Sequence, residues 1–418
     1  MTAIGVPYGK TTMKVEIGDN VEVEYLKPED LPPVDIKAEL STALENPISN
    51  NGLEDFRGAD VAIVVSDQTR PVPSKTILEV LIPQLKENGV NEQDITIIVG
   101  GGLHRRTGSL KEILGKDIVE RVGKAIIHDA RREDKLVYLG DTSRGTPIWI
   151  NKQFIEAQKK IVVGMIDPHH FMGYTGGAKG AAIGLAGKKT VEANHSLLMA
   201  EGSRLGAMKG NPCREDLEEM GSELGIDLII NAVLNLDKQV ARILTGHWLQ
   251  AHREGVKFAR KMVEAKYPYH ADVVISSPGG FPKDLNIYQS QKALSSAEMV
   301  CKPQGVIILV AECPHGLGNE FFEETMNKFG THEEVISYFQ SLSFRMGIHK
   351  AYMWSRQLTS RKIILVSHRL SPEEIKALKV DHAPDLESAL RKTREFTAME
   401  KVLVMPLASS TVPTESGP

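Results

Sequence analysis

The stretch that decides the fold is residues 161–196, IVVGMIDPHHFMGYTGGAKGAAIGLAGKKTVEANHS. Its first six residues form a continuous apolar run, which is typical of a strand buried in a parallel sheet. Two adjacent histidines, His169 and His170, follow this strand, and then come a glycine-rich loop with Lys179 and a third histidine, His195. Imidazoles move protons or bind metals near neutral pH, and a lysine can bind phosphate or form a covalent link. The stretch therefore predicts a strand that ends in a chemically active loop.

The same pattern, a buried strand followed by polar or glycine-rich residues, recurs along the chain. The predicted strands are 61–65, 95–99, 161–166, 273–276, 306–310, 363–366 and 402–405. Helical patterns separate them, for example at 74–87, and such alternation indicates a mainly parallel sheet covered by helices. Alternating apolar residues at 14–17 and 21–25, around Gly-Asp-Asn, predict a β-hairpin near the start of the chain.

The predicted fold class is therefore α/β, with two α/β domains, mainly parallel sheets and an active-site cleft between the domains. A chain of 418 residues exceeds one ordinary core. We place the domains at residues 1–266 and 267–418, with the last strand or the tail as segments that could pack back on the first domain.

Composition and charge limit the class of protein. The formal net charge of −4 does not indicate nucleic acid or an anionic membrane as a partner, and no apolar stretch reaches the length of a membrane span. The three cysteines are far apart and odd in number, which favours reduced thiols. With no apolar leader at the start, we expect a cytoplasmic protein.

Reactive side chains follow four of the predicted strands, at the position where open parallel sheets bind ligands. In chain order these side chains are Asp67 and Arg70; His104; His169, His170, Lys179 and His195; and Tyr288, Gln289 and Lys292. Arg70 and Lys292 offer positive charge to a carboxylate or phosphate. His104 and His169 are candidates for general acid and base, and Asp67 could orient a hydroxyl or hold Arg70. The remaining histidines, His252 among them, are interpreted as structural.

Two familiar nucleotide-binding motifs are excluded. The phosphate loop of ATPases needs glycine before its lysine and Ser or Thr after it, but Ala178 and Gly180 flank Lys179. The glycines at 100–102 lack the third glycine of the dinucleotide fingerprint, because Arg105 stands at that position.

Taken together, these residues identify a family. The chain resembles the nickel-dependent lactate racemases, catalytic subunit, with their wider set of 2-hydroxyacid racemases and epimerases. The matching elements are Asp67-Gln-Thr-Arg70-Pro71, Gly102-Leu-His104-Arg105, His169 through the Gly-Tyr-Thr-Gly-Gly-Ala-Lys179 loop to His195, and Tyr288-Gln289-x-x-Lys292. They occur in the family's order and span most of the chain.

The resemblance implies a nickel pincer nucleotide, a pyridinium-3-thioamide-5-thiocarboxylic acid mononucleotide that carries Ni(II) between its sulfurs. By this likeness Lys179 would be tethered to the cofactor through the thioamide, and His195 would be the protein's ligand to nickel. Asp67, Gly176 and Gly177 would also contact the cofactor, so residues 1–266 would form the cofactor-binding domain. Sulfur and imidazole ligands in a planar array suit Ni(II).

The resemblance also implies the reaction. His104 and His169 would be the two acid–base residues, while the α hydrogen leaves as hydride and returns to the other face of a 2-keto acid. The residues that would bind the substrate are Arg70, Tyr288, Gln289 and Lys292. The expected partners are a small 2-hydroxy acid, lactate or a larger analogue, and the enzymes that make the nickel cofactor. His170 and Trp354 are candidates for the wall of the substrate pocket.

Two other hypotheses remain open at this point. A metal-dependent hydrolase or lyase would use His169, His170 and His195, although no carboxylate base is evident beside them. A non-catalytic nucleotide-binding protein would use Lys179 to hold a phosphate. The oligomeric state does not follow from the sequence.

Overall fold

The computed structural model describes residues 1–50, 52–104, 108–342, 344–345 and 347–415. Arg105, the residue that excludes the dinucleotide fingerprint, lies outside this described part. The strands are β1 (Thr2–Tyr8), β2 (Thr11–Ile17), β3 (Glu22–Tyr25), β4 (Val61–Ser66), β5 (Ile95–Gly100), β6 (Lys124–Ile127), β7 (Leu136–Asp141), β8 (Pro147–Asn151), β9 (Lys159–Ile166), β10 (Pro168–His169), β11 (Gly173–Tyr174), β12 (Leu228–Leu234), β13 (Val240–Gly246), β14 (Glu264–Tyr267), β15 (Ala271–Ser276), β16 (Cys301–Val310), β17 (Lys362–Val366), β18 (Asp381–Ala383), β19 (Lys401–Met405) and β20 (Val412–Glu415).

The α-helices are α1 (Ile36–Glu45), α2 (Ser74–Glu87), α3 (Leu110–Leu114), α4 (Lys116–Arg121), α5 (Lys152–Glu156), α6 (Lys179–Ala182), α7 (Lys188–Ser196), α8 (Pro212–Glu223), α9 (Gln250–Val263), α10 (Ile287–Ser290), α11 (Lys292–Val300), α12 (Glu320–Lys328), α13 (His332–Gln340), α14 (Ile348–Ser360), α15 (Pro372–Leu378) and α16 (Leu386–Thr393). Within the described residues, no helix is long and apolar enough to cross a membrane.

The chain divides into two compact units. The central unit is Asp30–Met262, and the split unit combines Met1–Glu29 with Val263–Pro418. The boundary expected between residues 266 and 267 lies close to the observed boundary between Met262 and Val263. The structure differs from the expected domains at the start of the chain, because residues 1–29 belong to the split unit. β19 and β20 pair within the split unit, so the last strand and the described part of the tail do not join the sheet of the central unit.

The central unit is built on a sheet with the strand order β13-β12-β9-β4-β5-β6. All neighbours are parallel except β13, which runs antiparallel to β12 at one edge. Apolar residues of α1 and α2 pack with Val61, Ile63 and Val65 on one face, and α6 contacts β4 and β9 beside Val162 on the other. Coverage of both faces explains the continuous apolar runs. Because β9, β4 and β5 are parallel neighbours, their carboxyl ends lie side by side at the same end of the sheet.

The split unit has its own parallel sheet, with the order β18-β17-β16-β15-β19-β3. Helices α11, α12, α14 and α15 pack on one face, while α16 and the β1–β2 hairpin cover the other. β14 and β20 form a separate parallel pair.

The hairpin predicted from 14–17 and 21–25 is wrong. β2 pairs with β1 through the turn at residues 9–10, and β3 instead adds to the edge of the sheet beside β19. The reason is burial, since Ile4, Val6 and Tyr8 contribute apolar side chains to the core over β15–β19. Alternation in the sequence correctly indicates half-buried strands, but it does not identify the partner strand.

Candidate functional site

Asp67, in the turn after β4, contacts His104, in the turn after β5. His104 Nδ1 lies 2.9 Å from Asp67 Oδ2 and 3.1 Å from Thr69 Oγ1. The Arg70 amide donates to the Asp67 carbonyl at 3.2 Å, so Arg70 belongs to the same turn. An ionised carboxylate only accepts hydrogen bonds, so Nδ1 of His104 is the donor. The neutral His104 ring then has its lone pair on Nε2, where it can accept a proton.

The Asp67 carboxylate is well suited to fix this ring. Burial alone would raise its pKa, but hydrogen bonds from His104 and Thr69 and the charge of His104 outweigh burial, so the pKa is lowered. Asp67 is therefore ionised at neutral pH. Its observed contact is with His104, and its contact with a cofactor stays a prediction.

After β9 the chain folds back on itself in a short hairpin that ends at Lys179. β10 pairs with β11, so His169 lies opposite Gly173. Thr175 closes the loop, because its amide donates to the Asp167 carbonyl at 2.9 Å and its hydroxyl donates to the Met165 carbonyl at 2.8 Å. Helix α6 then begins at Lys179. This arrangement places His169 and Lys179 at the end of the same strand.

Two glycines in this loop are required by packing within the protein. Gly176 and Gly177 have φ values of +87° and +62°, which side chains rarely adopt. A Cβ on Gly176 would lie 2.7 Å from Ile166 Cγ1, and one on Gly177 would lie 3.0 Å from His252 Cγ. The space beside both residues is filled by protein atoms, so their need for glycine is explained without a ligand. Cofactor contact by their backbone stays a prediction.

Arg214, which the sequence analysis missed, stabilises the loop through hydrogen bonds. Its side chain is 0% exposed and donates to the Gly176 carbonyl at 3.5 Å, to Glu218 Oε1 at 2.6 Å and to His252 Nδ1 at 3.1 Å. His252 Nε2 in turn donates to the Thr175 carbonyl at 2.8 Å. Arginine in an amphipathic helix usually indicates a solvated face. The available signal was Glu218 four residues later, a pairing that also occurs on exposed helices.

His169 lies within a cluster of positive groups. Its ring stacks on His170 at 4.7 Å between centroids and meets the edge of Phe171 at 4.6 Å. Burial lowers the pKa of His169 well below its usual value, and the charges of Lys179, His170, Arg70 and His195 lower it further. The Met172 amide donates to Nδ1 of His169 at 3.3 Å. The neutral ring in this conformation therefore carries its proton on Nε2, the opposite arrangement to His104.

Lys179 shows the same effect on an amine. Burial, followed by the charges of Arg70 and Arg214, lowers the pKa of Lys179 to about 7. About half of the amine is then neutral at pH 7, and a neutral amine is a nucleophile. Lys179 as a whole residue is partly exposed. A covalent attachment point needs a neutral amine that a reagent can reach.

His195 lies on α7 and is 8% exposed. Phe171 meets its ring edge-on at 5.3 Å between centroids, so His195 and His169 contact the same phenyl ring. Nδ1 of His195 lies 3.2 Å from Asn194 Oδ1. Arg70, Lys179 and His195 of the predicted site are thus close enough to His169 for their charges to lower its pKa.

The remaining predicted site residues lie in the split unit, on the junction of α10 and α11. Tyr288 is partly buried, and burial raises its pKa to about 12. Asn286 Oδ1 caps α10 by accepting a hydrogen bond from the backbone amide of Gln289 at 3.0 Å, and Lys292 begins α11. Sequence analysis missed Lys350, whose Nζ lies 5.7 Å from the Tyr288 ring centroid.

Lys350, on α14, is a lysine buried in the protein, which is unusual for this residue type. It is 2% exposed, and its Nζ donates to Gln291 Oε1 at 2.7 Å. Burial lowers its pKa well below the ordinary lysine value, and the charge of Lys292 lowers it further.

Trp354, on the same helix, is 0% exposed and donates to the Leu378 carbonyl, which assigns it to the core and contradicts a role in a pocket wall. His170 contacts His169 and Phe171, beside the predicted acid–base residue.

The residues present fit the implied nickel nucleotide. His195 offers an imidazole, Lys179 offers a nucleophilic amine, and Arg70 adds positive charge for an anion. Among the described residues, no three His, Cys, Asp or Glu side chains gather where they could hold a metal ion. The set His169, His170 and His195 proposed for a hydrolase or lyase therefore gains no support.

Comparison with known proteins gives one consistent result. Residues 8–206 match the lactate racemase N-terminal domain, and residues 266–412 match the lactate racemase C-terminal domain. The lactate racemase of Thermoanaerobacterium thermosaccharolyticum is 30% identical, over 99% of this chain and 100% of that protein. The lactate racemase of Lactiplantibacillus plantarum is 31% identical, over 97% of this chain and 98% of that protein.

Solved structures agree with this result. The lactate racemase apoprotein from Thermoanaerobacterium thermosaccharolyticum has a TM-score of 0.88 at 29% identity, covering 99% of this chain and 100% of that chain. A Thermotoga maritima protein at 17% identity has a TM-score of 0.63, covering 93% of this chain and 100% of that chain, and shows likeness of fold alone. With the full-length relatives and both domain matches, the chain belongs to the lactate racemase family.

Proposed function

We propose that the protein racemises or epimerises a 2-hydroxy acid, lactate or a larger analogue, with a nickel pincer nucleotide tethered to Lys179. The observation that carries the proposal is the cluster of Arg70, His169 and Lys179, which follow the neighbouring parallel strands β4 and β9, with His195 of α7. Full-length kinship with lactate racemases supports the reaction class. When bound, the cofactor supplies a site that takes up a hydride and returns it.

Positive charge near the reacting groups suits a carboxylate substrate. The charges that lower the pKa of His169 and Lys179 come from cationic or imidazole side chains in every case given by the structure. An anion placed among them would relieve their mutual repulsion, and Arg70 offers a planar fork that matches a carboxylate. We assign carboxylate binding to Arg70. Gln289, Lys292 and Tyr288 are proposed as further substrate contacts.

The two histidines supply proton transfer to and from the substrate hydroxyl. His104 is held by Asp67 with its lone pair on Nε2, so it is arranged to accept a proton. His169 has a lowered pKa, so its protonated form is a stronger acid than ordinary histidine and releases its proton readily. One histidine accepts the hydroxyl proton of one enantiomer, and the other returns a proton to the oxygen of the opposite enantiomer. The roles exchange in the reverse direction.

Intact mass tests the tether. The protein would be made in a host that also makes the nickel cofactor, beside Lys179→Ala and the control Lys189→Ala. Lys189 is a matched control because it is an exposed lysine on α7, paired with Glu133. We expect a covalent mass increase in the unaltered protein and in the control, and none in Lys179→Ala. An increase that persists in Lys179→Ala rejects the assignment.

The loaded protein would then be offered a panel of chiral 2-hydroxy acids labelled with deuterium at the α carbon. Loss of optical activity with retention of the label in ordinary water is the expected result, because a returned hydride does not exchange with solvent. Extensive loss of the label would instead indicate proton abstraction from the carbon.

A further inference from the structure

A carboxylate and an amide lie behind His195, fully enclosed in the central unit. Asp216 and Asn194 are both 0% exposed. Asp216 accepts a hydrogen bond from Asn194 Nδ2 at 2.7 Å and another from Thr142 Oγ1 at 2.5 Å. Burying a carboxylate costs free energy that a well-packed apolar residue would avoid. The presence of Asp216 at this position therefore calls for a reason beyond packing.

The hydrogen bonds of Asn194 have a fixed direction. Its Nδ2 also donates to the carbonyl of Cys213 at 3.2 Å, and a backbone carbonyl can only accept. Asp216 and Cys213 thus agree that the NH2 side of the amide faces them. The oxygen of Asn194 is left on the other side, 3.2 Å from Nδ1 of His195.

This direction decides the tautomer of His195. An amide oxygen cannot donate, so the hydrogen of the contact lies on Nδ1 of His195. A neutral imidazole with its proton on Nδ1 has its lone pair on Nε2. Metal-binding histidines are commonly oriented in this way by a hydrogen-bond acceptor on the nitrogen that does not bind the metal.

We propose that Asp216 is a positioning residue for the metal ligand, and that it acts through Asn194 to keep the lone pair of His195 on Nε2. The inference rests on the proposed function, because it takes His195 as the protein's ligand to nickel. Asp216 itself touches neither metal nor substrate. Its effect is on how long nickel is retained, through the tautomer and orientation of one ring.

The test compares variants that remove different partners of the same carboxylate. Asp216→Val removes both acceptor atoms, whereas Thr142→Val removes the other hydrogen bond to Asp216, together with the one that Thr142 accepts from the Thr146 amide, and leaves the contact with Asn194. A purely structural role predicts similar behaviour from the two variants. His195→Ala serves as the reference for loss of the ligand itself. Asn194→Leu removes the hydrogen bond between residue 194 and His195 as well as the one between residues 216 and 194. It replaces Asp216→Val if that variant does not fold.

Two measurements are made. In protein labelled with ¹⁵N at histidine, the His195 ring signals, assigned by their loss in His195→Ala, report which nitrogen carries the proton. In cofactor-loaded protein, metal analysis during dialysis against a chelator gives the rate of nickel loss. We expect a single Nδ1–H tautomer in the unaltered protein and in Thr142→Val. In Asp216→Val we expect mixed tautomers and nickel loss that is about 10- to 100-fold faster.

Asp216→Asn keeps an oxygen that can accept from Asn194 and is expected to restore slow nickel loss. Equal nickel loss from Asp216→Val and Thr142→Val, or an unchanged tautomer in Asp216→Val, overturns the inference. Failure of the proposed function looks different, because nickel would then be retained as well by His195→Ala as by the unaltered protein.

Discussion

The central unit and the split unit each contain a lysine whose pKa is lowered by burial and by a neighbouring cation. Lys179 lies at the start of α6, after a glycine-rich loop, and is partly exposed. Lys350 lies within α14, is 2% exposed, and donates to Gln291. The same physical effect therefore acts on a partly exposed residue in one unit and on an enclosed hydrogen-bond donor in the other. Desolvation alone does not define a reactive residue, and access decides between the two outcomes.

The largest expected effect tests whether the chemistry belongs to the strand-end loops of the central unit. His169→Gln removes a group that accepts and releases protons, so turnover should fall by about 10²- to 10⁴-fold. The matched control is His332→Gln in the split unit. Burial lowers the pKa of His332 too, but its ring bridges Ser355 Oγ and the Lys379 carbonyl. Its turnover should stay within about threefold, and steady-state rates of racemisation in loaded protein provide the measurement.

The pH dependence of the same enzyme sharpens this result. The pKa of His169 is lowered, so the ring becomes protonated only below the usual histidine pKa of 6.5. The acidic limb of kcat/KM that belongs to His169 should therefore lie below pH 6.5. A limb at or above that value would contradict the buried, cation-surrounded site described for His169.

Amine reactivity separates the two lysines directly. At pH 7 about half of Lys179 is neutral, against about one part in 3,000 for an ordinary lysine of pKa 10.5. Allowing for the weaker nucleophilicity of a less basic amine, Lys179 of the cofactor-free protein should be acylated about tenfold or more faster than exposed lysines. Peptide mass spectrometry after brief treatment would measure this. Lys350 should stay unmodified, and its labelling at the rate of Lys179 would abolish the distinction.

The smallest expected effect concerns stability. The folded protein favours neutral Lys350, while the unfolded chain binds a proton there at any pH below 10.5. Stability relative to Lys350→Met should therefore rise with pH between the lowered pKa of the folded protein and 10.5, with a limiting slope of about 1.4 kcal/mol per pH unit. Denaturant unfolding of both proteins at several pH values gives the difference. A difference that does not change with pH would show that Lys350 is charged in the folded state.

The sequence predicted the parts of the fold in which local signals and packing agree. The helix predicted at 74–87 is α2 as observed, and the strands at 61–65, 95–99 and 161–166 are within the observed β4, β5 and β9. These strands are buried on both faces, so their apolar runs are unambiguous.

Pairing between distant segments was beyond the reach of local patterns. β3 pairs with β19, almost the whole chain away, and nothing near residues 22–25 indicates that partner. The site divides in the same way. Residues on glycine-rich loops, such as His169 and Lys179, were proposed from the sequence, while Arg214 and Lys350 were missed because charged residues on helices usually face solvent. Their burial follows from tertiary packing alone.

The order in which the split unit receives its strands has a consequence for synthesis on the ribosome. The β1–β2 hairpin and β3 precede the central unit in the chain, but the other strands of the sheet that the hairpin covers and β3 extends are encoded after residue 262. The central unit is continuous and can fold while it is being made, whereas the hairpin must wait with Ile4, Val6 and Tyr8 uncovered until β15 to β19 have been translated. Newly made chains therefore carry an apolar leading segment for most of translation, and that segment is where a chaperone would bind them.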